Sequence, residues 1–130
     1  MKDHTSDRIL SLMETITSSY DKLREFESKG CSKDNLENEL ISIRDTGSEI
    51  PSLLAKIYKE NPDQFQILIN YIPILKMSFL NTIAILIPAI KMQQNPTPDW
   101  LKTQASLAIA LMRENGTIDI LKAVLTFLRG

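Results

Sequence analysis

The sequence predicts an all-α protein, a compact bundle of six or seven helices with an apolar central helix and a C-terminal helical hairpin. Three observations predict it. Apolar residues recur at helical spacing along most of the chain, as in Ile9, Met13, Ile16, Tyr20 and Leu23. Cap–proline–acid signals recur at Asn61-Pro62-Asp63 and Thr97-Pro98-Asp99. No segment alternates apolar and polar residues between turn signals, as a half-buried strand would. The 130 residues suit a single domain, 1–130, and a 43% apolar content builds a core without disulfides or metal.

The first helix is predicted from Asp7 to Ser28, its apolar residues spaced 4, 3, 4, 3 in the manner of a lengthwise packing seam. Gly30 supplies its left-handed stop. Ser32 caps a second helix carrying Leu36, Leu40 and Ile43, which Gly47 ends. Ser48 then caps a short third helix, with Pro51 in its first turn and Ile50, Leu53, Leu54 and Ile57 as its stripe. A fourth helix opens at Asn61-Pro62-Asp63 and carries Phe65, Leu68, Ile69 and Ile72.

Pro73 predicts a break or kink, because an interior proline loses a backbone bond and crowds the preceding turn. A long apolar helix follows to Met92, with Pro88 a second point of kinking. Residues 93–98 read as a loop, and Thr97-Pro98-Asp99 opens a helix from Trp100 to Arg113. Asn115-Gly116 turns the chain, and Thr117 caps a last helix ending at Arg129. Asn115-Gly116-Thr117 also matches a glycosylation sequon, but its residues are those of a tight turn.

Charge divides the chain. Residues 1–65 carry nine Lys/Arg against thirteen Asp/Glu, whereas residues 66–130 carry six against three. Residues 1–60 form polar amphipathic helices and 61–130 apolar ones. The net charge of −1 gives no overall field for nucleic acid, and the basic residues are spread singly. The N-terminus has no signal-peptide run, so the expected compartment is the cytoplasm.

Catalytic and metal motifs are missing from the pattern. The one histidine, His4, lies near the terminus. There is no Glu-x-x-His, EF-hand loop, Cys pair or phosphate-cradling glycine loop. The sequence implies no cofactor and no enzyme. Cys31 is the one candidate nucleophile: Lys29 and Lys33 flank it and favour the thiolate, though no histidine stands nearby as a base.

The informative stretch is Ile72–Ile90, with ten Ile, Leu or Phe residues and one charge, Lys76. Those ten contribute roughly −3 to −6 kcal/mol toward membrane insertion. Lys76, Asn81 and the two prolines oppose it by a similar amount. A core helix is the first expectation, and a membrane-associated segment or a protein-binding surface the alternatives. The last helix wraps apolar residues around more than one face, with Lys122 and Arg129 as its cations. Such a helix docks on a protein or lies on an anionic membrane. Trp100, Leu121, Leu125, Phe127 and Leu128 are the candidate contact residues.

The order of pieces resembles a known family. A Leu-containing first helix leads to Glu27-Ser28-Lys29-Gly30. Asn61-Pro62-Asp63 precedes an apolar helix, a proline loop precedes a Leu-rich helix, and the chain closes on Leu125-Thr126-Phe127-Leu128-Arg129-Gly130. Over roughly residues 22–130 this resembles the uncharacterised small helical proteins encoded beside formate dehydrogenase or sulfide:quinone oxidoreductase genes. The resemblance implies an accessory role near a membrane-linked redox enzyme. The expectation is a non-enzymatic accessory or adaptor protein that works by protein contact or self-association through its apolar C-terminal half. A peripheral membrane protein is the alternative, and a thiol-dependent activity at Cys31 the third.

Overall fold

Two long heptad seams set the architecture. The computed structural model describes residues 4–78, 83–114 and 116–129. They form α1 (Thr5–Lys29), α2 (Lys33–Glu60), α3 (Leu68–Lys76), α4 (Ala84–Met92), α5 (Pro98–Glu114) and α6 (Thr117–Arg129), with no strand among the described residues. The described residues form an all-α bundle of six helices. α1 buries the predicted seam Ile9, Met13, Ile16, Tyr20 and Leu23. α2 buries Leu36, Leu40, Ile43, Gly47, Ile50, Leu54 and Ile57, again alternating steps of four and three. The two helices run antiparallel, with Arg8 on Glu49 at 2.9 Å and Lys22 on Glu39 at 3.5 Å.

The expected break at Gly47 is absent, since α2 continues through Gly47, Ser48 and Pro51. Seam burial outweighs the local stop signals. Ser48 does not cap a new helix; its hydroxyl donates to the carbonyl of Arg44 at 2.6 Å, one turn back. Pro51 would crowd the carbonyl four residues earlier, which belongs to Gly47, the residue with least side-chain bulk to relocate.

α3 and α4 follow one another along α2 and run against it. At one end the turn Asn61–Ile67 joins α2 to α3. At the other, Lys33 Nζ donates to the carbonyls of Lys91 and Gln93, and Lys91 pairs with Glu37 at 3.8 Å. The helix start expected at Pro62 is displaced to Leu68. Phe65 N–H reaches the Asn61 carbonyl, after which Leu68, Ile69 and Asn70 donate to carbonyls three residues back, so the reversal is made of tight turns.

α5 and α6 form a fourth column against α1. Lys102 Cε lies 3.4 Å from a Cβ built at Gly30, where α1 ends, and Arg113 reaches Tyr20 in its middle. Leu128 sits beside Thr5 and Leu10, near its start. The expected C-terminal hairpin is thus opened out: α5 and α6 run in sequence along α1 and do not fold back on each other. The chain bends between them at Gly116, whose φ of 68° is left-handed. Thr97 caps α5 as predicted, accepting from Trp100 N–H at 3.1 Å, and Ser32 caps α2 at the same distance from Asn35 N–H. Thr117 does not cap α6 through its side chain; its hydroxyl is buried without a hydrogen-bond partner among the described residues.

Among the described residues the apolar stretch is not buried all round. α1 and α2 occupy the middle, and α3 and α4 lie against α2 with one face each. A segment apolar on every face therefore buries only part of itself. Its continuity through residues 79–82, Asn81 included, lies outside the described residues, as do the turn residue Asn115 and the terminal Gly130.

Candidate interaction surface

The predicted contact residues of the C-terminal half are largely consumed by the bundle. Leu121 is 4% exposed and belongs to the core. Trp100, Leu125, Phe127 and Leu128 are half-buried and pack against it. Phe127 meets Phe65 edge to face, ring centroids 5.5 Å apart, which ties the end of α6 to the turn before α3. Because α5 and α6 run in sequence along α1, Trp100 lies at the opposite end of the bundle from Phe127 and Leu128. The five residues do not make one patch.

Exposed apolar surface lies elsewhere, on α3 and α4. α4 buries Ile83 at its start and then Leu86, Ile87 and Ile90. Its opposite side turns Ile85, Pro88, Ala89 and Met92 outward at positions i, i+3, i+4 and i+7. Ile85 is 65% exposed and Met92 81%. This is a second complete apolar stripe, of the kind a helix normally buries. α3 adds Ile69, Pro73 and Met77 at i, i+4 and i+8, with Ile74 alongside. Both prolines face outward. Each lacks an N–H, so the carbonyls of Ile69 and Ala84, one turn back, lose a helical donor on the same exposed face.

Sequence reading found the apolar stretch but not its outward stripe. The signal was present as two interleaved helical stripes in residues 83–92. Only the position of α2 decides which of them is buried.

Cys31, the candidate nucleophile, sits half-buried between α1 and α2 against the core, and burial pushes its thiol above its ordinary pKa. The flanking cations are engaged elsewhere: Lys29 pairs with Glu25 at 3.7 Å, and Lys33 is bound to the α4 carbonyls. His4 is exposed and lies 3.7 Å from Asp7. Among the described residues no group of three or more His, Cys, Asp or Glu side chains is arranged to hold a metal ion. Among them, too, no helix is long and apolar enough to cross a membrane. Comparison with protein-family models, with curated proteins and with solved structures finds no match to this chain.

Proposed function

We propose that the protein is a non-enzymatic adaptor whose working surface is the outward face of α3 and α4. One observation carries this reading: the stripe Ile85, Pro88, Ala89 and Met92 contains no polar or charged side chain, yet faces solvent. Soluble monomers rarely leave a contiguous apolar stripe bare, and such stripes mark contact surfaces. A partner helix with its own apolar stripe would complete the packing that α2 provides on the other side. The resemblance to proteins encoded beside membrane-linked redox enzymes makes a subunit of such an enzyme the natural partner class.

The test is affinity capture from the native host, comparing the wild type with an Ile85→Asp/Met92→Asp double variant. Both positions are exposed, so the variant folds. A stoichiometric protein captured by the wild type and lost from the variant supports the reading. Identical capture by both, or by neither, refutes it.

A second reading has its own observation. From Gln64 to Pro98 the charged residues are Lys76 and Lys91, with no acid. An apolar face bearing Lys76, with Lys91 paired to Glu37 at its edge, also suits an anionic membrane surface. Flotation with anionic vesicles at low salt, lost at high salt, supports this reading, and no flotation under either condition removes it.

A further inference from the structure

The fourth column packs unevenly on α1: α5, whose buried face includes Ala105 and Ala108, meets it extensively, and α6 meets it sparsely. The space left between α1 and α6 is a groove of about 520 Å³, within the usual range for small-molecule sites. Ile118 and Leu125 supply most of its apolar surface, and Met13, Tyr20 and Leu121, each less than a tenth exposed, form its floor. From Ile118 to Leu125 the helical rise makes it roughly 10 Å long.

One end of the groove is basic. Tyr20, Arg24, Ile118 and Lys122 line both the groove and an adjoining recess, which adds Arg113 and Asp119. Three cations there face one carboxylate. None of the three is in an ion pair among the described residues, and Arg113 spends only one N–H, on Tyr20 Oη. Glu14 and Asp21 line the groove outside this recess.

We infer that the α1–α6 groove binds a single-chain, medium-length fatty acid, with its carboxylate at Arg24, Arg113 and Lys122 and its chain along Ile118 and Leu125, over the floor that Met13 and Leu121 form. Guanidinium groups take a carboxylate in paired hydrogen bonds, and the adjoining trough removes the chain from water. A two-chain phospholipid exceeds the volume. This site is on the other side of the bundle's α1 seam from the proposed contact face and does not depend on it.

The test is isothermal titration of the full chain with decanoate below its micelle concentration, with decyltrimethylammonium and decanol as controls. Saturable one-to-one binding of decanoate is expected, weakened at least tenfold in Arg24→Gln/Lys122→Gln. Both substituted side chains are exposed, so circular dichroism should not change. Thr17→Trp, which fills the trough from an exposed position, should abolish binding with the fold intact. Three results would overturn the inference: no saturable binding, equal binding of the cationic or neutral control, or full binding by both variants. A dimer in sedimentation that Thr17→Trp dissociates would assign the groove to a second copy instead and would overturn it too.

Discussion

Arg113 Nε donates a 2.8 Å hydrogen bond to Tyr20 Oη, pinning the last turn of α5 to the middle of α1 across 93 residues of sequence. The bond lies next to the bend of the fourth column at Gly116. Tyr20→Phe keeps the buried ring and removes the acceptor. The expected loss is about 1 kcal/mol, because the pair is only partly buried. It should appear as a lower urea midpoint with an unchanged slope.

The continuity of α2 gives a paired prediction. Ile50 is fully buried on the seam, three residues past Gly47, while Ile85 is 65% exposed. Ile50→Ala should cost about 2–5 kcal/mol, as core truncations do. Ile85→Ala should stay within about 0.5 kcal/mol. Equal costs in thermal or urea unfolding would mean that the outward face of α4 is already covered in the monomer.

Gly116 isolates a backbone effect. Its φ is 68°, and among the described residues beyond its chain neighbours nothing lies within 4 Å of an added Cβ. Gly116→Ala therefore meets no clash and should cost only the left-handed penalty, about 1–2 kcal/mol. Gly116→Asn should cost less, because asparagine tolerates that conformation. Melting temperatures of the three proteins should rank Gly, Asn, Ala from highest to lowest.

Cys31 predicts a pH dependence. Burial raises its thiol pKa in the folded chain, so the folded state holds the proton to higher pH than the unfolded state. Its contribution to stability is full below the ordinary thiol pKa and declines as pH rises through the raised one. Unfolding midpoints of the wild type should fall relative to Cys31→Ser across that alkaline window. Alkylation by iodoacetamide at neutral pH should be slower for the folded chain than for the chain in denaturant.

Much of the fold was legible because the seams are local patterns. The α1 stripe at Ile9, Met13, Ile16, Tyr20 and Leu23 is buried as its spacing implies. The α2 seam was equally present, since Leu36, Leu40, Ile43, Gly47, Ile50, Leu54 and Ile57 keep one rhythm. Gly47 and Pro51 obscured it: a glycine reads as a stop, yet here it occupies a seam position and the rhythm passes through it. The opened hairpin was not legible, because Gly116 permits a bend without stating its direction. The α4 face was hidden for a different reason. A helix apolar on both sides carries no internal mark of which side meets the core, and tertiary packing alone decides. The same ambiguity affected Leu121 and Phe127, whose apolar stripe found its partner within the chain.

The adaptor reading is tested most directly by photo-crosslinking in the native host from a benzophenone amino acid placed at Ile85, and separately at Leu107. Both side chains are exposed, Leu107 at 41%, but Leu107 lies on α5, away from the α4 stripe. The prediction is a discrete crosslinked protein from position 85 and none from position 107. Crosslinks of equal yield from both positions, or no crosslink from position 85, would contradict it.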